Sequence, residues 1–177
     1  KYLTKKNEKF VVERGHRMAL YANDWIGAVI YTKGVFEKDE IKDLLFVLDI
    51  IGIDLKESMA LDIGANIGNH TIEFAKKFKD VVAYEPNPNT YKILDFNCSY
   101  RENISCYNFG LGDKEEYLTL YEHSFNNGAS SVLTNDLDRN RNYFEVEHND
   151  VFQNKFEIKI SRIDSFLNKF SDVKLIK

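Results

Sequence analysis

Leu61-Asp62-Ile63-Gly64-Ala65-Asn66-Ile67-Gly68-Asn69-His70, followed by Val81-Val82-Ala83-Tyr84-Glu85-Pro86, decides how this chain reads. The first stretch predicts a strand, a glycine turn and the start of a helix. The second predicts another apolar strand that stops at an acid. An α/β sheet holds a nucleoside-containing cofactor in this way, at the carboxyl ends of its strands. Glycines let the backbone approach a ligand where a Cβ would collide. A carboxylate at the next strand's tip can accept hydrogen bonds from both ribose hydroxyls. A tight turn of purely structural purpose is the bland alternative for Gly64 and Gly68. The acid Glu85 at the end of the second strand favours ligand binding.

The spacing of the turn bears on which cofactor it suits. A dinucleotide turn uses G-x-G-x-x-G, because the pyrophosphate rests on the helix N-terminus and the middle glycine makes room for it. Here the spacing is Gly64-x-x-x-Gly68, Asn66 stands in the middle, and Asp62 precedes the first glycine by two residues. No phosphate-binding lysine follows, which also disfavours a P-loop. An acid beside the turn suits a cationic ligand better than a phosphate. S-adenosylmethionine carries an ammonium, a sulfonium and a ribose, without phosphate. The turn therefore favours a methyl donor over NAD.

The same residues resemble the FkbM-type methyltransferases, a branch of the class I S-adenosylmethionine-dependent enzymes. Asp62 to Gly68 together with Tyr84-Glu85-Pro86-Asn87 carry the resemblance. Gly34-Val35-Phe36-Glu37, Leu111-Gly112-Asp113 and Asn127-Gly128-Ala129-Ser130-Ser131 fit the same pattern. So do Ile163-Asp164-Ser165-Phe166 and Val173-Lys174-Leu175-Ile176-Lys177, and the likeness extends from about Ile26 onward. It implies a Rossmann-like α/β fold with a mostly parallel sheet and an antiparallel, hairpin-like insertion. It also implies S-adenosyl-L-methionine as cofactor, held by Asp62, Gly64, Ala65, Asn66, Gly68, Glu85, Pro86, Asn87, Leu111 and Asp113. A hydroxyl of a small molecule or glycan is the implied acceptor. In the family the strand at Leu175-Ile176-Lys177 continues into an acidic segment of the type I-D-V-E-G. The chain therefore reads as a fragment whose sheet is incomplete on its C-terminal side.

Bulk properties narrow the classes. A chain of 177 residues suffices for one domain and buries roughly two-thirds of its unfolded surface. Hydrophobic residues at 44% and charged ones at 29% are ordinary globular values and argue against disorder. The net charge of −4, from 24 basic and 28 acidic residues, argues against a nucleic-acid acceptor, which basic clusters bind by displacing counterions. Two cysteines, Cys98 and Cys106, are too few for a disulfide scaffold and fit no zinc spacing. No metal site is expected. No apolar run reaches the roughly 18–20 residues of a membrane span, and a cytoplasmic protein is the default expectation.

Periodicity places the elements. Residues 1–55 read as an N-terminal cap with a helix, and 56–177 as the cofactor-binding core, together one structural domain. Up to Gly34 the cap reads as irregular, with strand pieces such as Ala28 to Tyr31. From Glu37, the apolar residues Ile41, Leu44, Leu45, Leu48 and Ile51 recur at helical spacing. Ser58–Ile63, Val81–Glu85 and Ser105–Phe109 read as strands, separated by helices over Gly68–Phe78 and Asn89–Tyr100. Such alternation implies right-handed parallel βαβ units. Tyr117–Tyr121 and Phe156–Ile160 alternate with period two, as half-exposed strands do. Asn126–Asn154 between them is loop chemistry, Ile163–Phe170 a short helix, and Val173–Lys177 the opening of a fourth core strand.

Each candidate residue has a second reading. Asp62 can reach the amino end of the methionine moiety, directly or through water, or cap the turn's backbone. Asn66 sits where φ can be positive, which asparagine tolerates. Asp113 occupies the place where class I enzymes meet the adenine amino group, or is a turn acid. Leu111 flanks the ring or is a core leucine. Glu37 matches a family position near the cofactor, yet helix capping explains an acid there. His70, His123 and His148 read as ordinary helix or loop residues, so no general base is named. Ser130 and Ser131 line an acceptor pocket by resemblance alone. An NAD- or nucleotide-sugar-binding oxidoreductase and a non-catalytic binding fragment are the rival readings.

Overall fold

The computed structural model describes residues 2–15, 17–22, 24–123, 130, 132, 152–167, 170 and 172–177. Three helices precede the core: α1 (Tyr2–Arg14), α2 (Trp25–Lys33) and α3 (Lys38–Ile50). Then β1 (Met59–Ile63), α4 (Asn69–Ala75), β2 (Asp80–Tyr84), α5 (Pro88–Cys98) and β3 (Ile104–Tyr107) alternate. The chain continues through β4 (Gly110–Gly112), β5 (Glu116–His123), β6 (Phe152–Arg162), the single turn α6 (Asp164–Leu167) and β7 (Val173–Ile176).

Four strands form a parallel sheet in the order β3-β2-β1-β7. The chain steps outward from β1 to β3, then returns to the other side of β1. The order thus reverses beside β1, and ligands of open α/β sheets bind at such a switch point, outside the carboxyl ends of the strands. A second sheet, β4-β6-β5, contains the expected antiparallel pair β5–β6. The sequence reading omits β4, three residues that run parallel to β6.

Alternation divides the core into faces. Ala60 and Val81 pack under α3 and α4 with Ile41, Leu48, Phe74, Ala75 and Phe78. Ala83 lies with Ala65, Ile72, Leu94 and Cys98 against α4 and α5. Leu61, Val82 and Tyr84 face the opposite way, onto Phe109, Leu111, Phe170 and Val173.

The cap corrects two expectations. Tyr2–Arg14, read as irregular, forms helix α1. Ala28 to Tyr31 lies within helix α2, not in a strand. Its β-branched residues suggest a strand, but Asp24 caps the helix by accepting from Gly27 N–H at 2.8 Å, and Gly34 ends it at φ 91°. Two good caps outweigh a weak local preference. Within Asn126–Asn154, only 130, 132 and the strand residues 152–154 are among the described ones.

Candidate functional site

Alternation along β1 and β2 selects the side chains that reach the strand tips. Asp62 pairs with Ala83, so it shares the face under α4 and α5. Glu85 lies two residues beyond Ala83, just past the end of β2. The two acids therefore converge on one side of the sheet.

Between them lies the turn, with Gly64, Asn66 and Gly68 all left-handed at φ 77°, 52° and 91°. The Gly64 and Ala65 N–H groups both donate to the Tyr84 carbonyl at 2.9 Å. Asn66 N–H donates to Glu85 Oε2 at 2.9 Å, and Asn87 N–H donates to Oε1 at 2.8 Å. The carboxylate thus points at the turn and is held from both sides. Each oxygen retains a further lone pair for another donor. Glu85 is 7% exposed. Burial pushes its carboxyl up to about 7, against the pull of the Asn87 and Asn66 N–H bonds and with the Asp62 charge adding to the rise.

The two glycines serve different ends. A Cβ on Gly64 would meet no atom within 4 Å, so this edge of the turn faces open space. A Cβ on Gly68 would lie 3.0 Å from Leu94 Cδ1 and 3.2 Å from Cys98 Sγ, against α5. Gly68 lets α4 and α5 pack closely. Gly68→Ala is expected to cost about 1–3 kcal/mol through strain and overpacking. Urea denaturation measures this, and an unchanged midpoint would contradict the packing role.

Asp62 is fully buried, and its Oδ2 accepts from the Thr71 hydroxyl at 2.6 Å. Its Oδ1 has no hydrogen-bond partner; Lys177 Nζ, 3.7 Å away, is at ion-pair distance but too far for a hydrogen bond. Burial raises the carboxyl above its ordinary range, while Lys177 and Thr71 oppose the rise. A buried oxygen left without a hydrogen bond is costly and calls for an explanation. The carboxylate does not cap the turn, whose Asn66 N–H goes to Glu85 instead.

Nearby, His70 Nε2 lies 3.2 Å from Glu37 Oε2. Burial lowers the His70 pKa to about 4, with the Lys177 charge adding. Glu37 opposes this, but its side chain is 43% exposed and solvent screens it. His70 is neutral at pH 7. Glu37 precedes α3 at φ 54° and makes no side-chain cap bond, so capping does not account for it. Asn69 fixes this segment by bonding both backbone groups of Phe36 at 2.9 Å.

The remaining candidates have varied surroundings. Asn87 is 2% exposed; its Oδ1 caps α5 and its Nδ2 donates to Glu122 Oε1 at 2.8 Å. Only its backbone N–H turns to Glu85. Pro86 is half-buried, and its Cβ lies 3.6 Å from where a Gly110 Cβ would stand. Leu111 packs with the Tyr84 core on the face opposite Asp62. Asp113 is exposed in the turn after β4. Ser130 is half-buried, whereas Ser131, His148 and the His123 side chain lie outside the described residues. Thr71, Asn97 and Glu122 are absent from the sequence reading, because nothing local marks partners that lie so far along the chain.

A groove of about 720 Å³ runs along α3 over Ile41, Leu45 and Phe46 to Leu55, before β1 begins. It lies at the other end of the strand from the converging acids. Among the described residues, no cluster of His, Cys, Asp and Glu can hold a metal. None of their helices is long and apolar enough to cross a membrane.

No curated protein matches the chain. Among solved structures it is similar to the 23S rRNA methyltransferase ErmE, with TM-score 0.35 and 23% identity over 42% of this chain and 29% of that one. It is also similar to phosphoethanolamine N-methyltransferase 1 of Haemonchus contortus, in complex with phosphoethanolamine and S-adenosylhomocysteine. That likeness has TM-score 0.39 and 17% identity over 64% of this chain and 22% of the other. The chain spans less than a third of either structure. The profile of the methyltransferase FkbM domain matches residues 62–177, from the acid before the glycine turn through β7. With most of its length matched, the chain belongs to the FkbM family of methyltransferases.

Proposed function

We propose that the protein transfers a methyl group from S-adenosylmethionine to a hydroxyl of a small molecule or glycan. One observation carries the reading: the Glu85 carboxylate meets the turn at Asn66 N–H, 2.9 Å away, beside a glycine edge that faces open space. Glu85 accepts the ribose hydroxyls. Gly64, Ala65 and Asn66 supply the backbone wall, and Gly68 sets its path. Asp62 Oδ1, buried, without a hydrogen bond and with Lys177 Nζ 3.7 Å away, receives the ammonium of the methionine moiety. A buried anionic oxygen with hydrogen-bonding capacity to spare fits a cationic ligand. Pro86 and Leu111 border the adenine, Asp113 meets its amino group, and Asn87 holds Glu85 in place.

When bound, S-adenosylmethionine supplies a methyl group on an already charged sulfonium. The protein's share is then largely positioning, which can be worth several kcal/mol without a covalent intermediate. Glu85 and Asp62 anchor the donor at two points, a sugar and an ammonium. The acidic balance of the chain supports an uncharged or cationic acceptor. A cytoplasmic location and a cap, residues 1–55, acting with the core as one unit belong to the same proposal. Free thiols at Cys98 and Cys106 suit a reducing compartment.

The rival oxidoreductase reading loses to family membership and to Asn66 in the middle of the turn. Thermal-shift measurements with S-adenosylhomocysteine and NAD in parallel test the choice. Stabilisation by S-adenosylhomocysteine alone is expected, and stabilisation by NAD alone would overturn the proposal.

The raised pKa of Glu85 gives this site a pH signature. The ionised form accepts from both hydroxyls, so affinity for S-adenosylhomocysteine should rise with pH up to about 7 and then level. Below that value it should fall by up to about tenfold per pH unit. In the free protein, burial penalises the charged form, so the Glu85 contribution to folding is lost as pH rises from 4.5 through about 7. Calorimetry across pH 5.5–8.5 checks the first trend, and a flat profile would contradict it.

A further inference from the structure

Residues 17–22, between α1 and α2, lie before the region matched to the family. They are nevertheless fastened to the glycine turn. Asn97, fully buried in α5, accepts from Ala19 N–H at 2.7 Å and donates to the Ala19 and Ile67 carbonyls at 3.0 and 2.8 Å. Gly27 of α2 closes the other side, since a Cβ there would lie 2.7 Å from the Tyr21 carbonyl oxygen. The segment is wedged between two helices.

Its Tyr21 side chain reaches the start of α5. The Tyr21 hydroxyl lies 3.2 Å from Thr90 Oγ1, and Thr90 N–H donates at 3.4 Å to Asn87 Oδ1. Asn87 is the residue whose N–H holds Glu85 Oε1 at 2.8 Å. Two residues, Thr90 and Asn87, thus link the phenol to the acid assigned to the ribose, and the phenol is near enough to feel that acid's charge. Burial raises the phenol's pKa; Thr90 opposes the rise, while Glu122 and Glu85 add to it, so at pH 7 it is a neutral donor.

A ribose diol presents two protons and two oxygens. An ionised Glu85 can satisfy only the protons, since a carboxylate has nothing to donate. We propose that Tyr21 completes the ribose site, donating its hydroxyl proton to one sugar oxygen while Glu85 accepts from the hydroxyls. This inference rests on the methyl-donor reading above. It adds a ligand contact from a part of the chain that lies outside the family match.

The test is calorimetry of wild type and Tyr21→Phe with S-adenosylhomocysteine and its 2′-deoxy and 3′-deoxy analogues. Phenylalanine keeps the ring packed and removes only the hydroxyl. Tyr21→Phe should weaken S-adenosylhomocysteine by about three- to tenfold, and one deoxy analogue should show no such penalty. An equal penalty with all three ligands, or none with any, would overturn the Tyr21 assignment alone. Failure of wild type to bind S-adenosylhomocysteine would overturn the donor reading and this contact with it.

Discussion

Glu85→Gln should weaken S-adenosylhomocysteine binding by about 100-fold or more while the protein stays folded. Two ribose hydroxyls donating to a carboxylate are charge-assisted bonds, each worth about 1.5–3 kcal/mol. Glutamine removes the charge and one acceptor. Its amide nitrogen must also face either the Asn66 or the Asn87 N–H, which sit at opposite oxygens of Glu85. Glu85→Ala is the harsher variant, because it strands both buried N–H groups and lowers stability as well. The glutamine variant therefore separates binding from folding. Calorimetry on a variant with native circular dichroism reads the effect, and unchanged affinity would refute the ribose role.

Asp62→Asn should cost about 10- to 100-fold in S-adenosylhomocysteine affinity, by removing the charge that pairs with the ligand's ammonium. The Thr71 hydroxyl can still donate to the asparagine carbonyl, so that bond at 2.6 Å survives the change. Burial already disfavours the carboxylate at this position, so the melting temperature of the free protein should not fall. The companion ligand 5′-methylthioadenosine has the ribose and adenine but lacks the ammonium. Asp62→Asn should leave its affinity unchanged, whereas Glu85→Gln should weaken it. A variant that weakens both ligands equally would place Asp62 outside the ammonium site.

The parts of this site that the sequence reveals are those set by local rules. Three left-handed residues within five explain why glycine and asparagine occupy the turn. The acid that ends β2 and the turn that follows β1 are legible as features of the strands' carboxyl ends. The register Asp62↔Ala83, which sets both acids on one face, comes from the fold. The α3 helix is also legible, since Ile41 and Leu48 are the buried positions of its apolar stripe. Local rules misjudge α2, where an apolar, β-branched run hides a helix made by its caps. They also give no sign of the packing at Gly68, whose neighbours Leu94 and Cys98 come from the next helix. The bonds from Asn97 to Ala19, 78 residues apart, and from Asn87 to Glu122, 35 apart, follow no spacing rule. These contacts decide what surrounds the ligand, and only the folded chain shows them.

A crystal structure with S-adenosylhomocysteine bound is the most direct test of the central claim. The ribose hydroxyls should lie about 2.6–2.9 Å from the Glu85 oxygens and the ammonium about 2.7–2.9 Å from Asp62 Oδ1. A ligand seated elsewhere, with Glu85 still bonded only to Asn66 and Asn87, would contradict it.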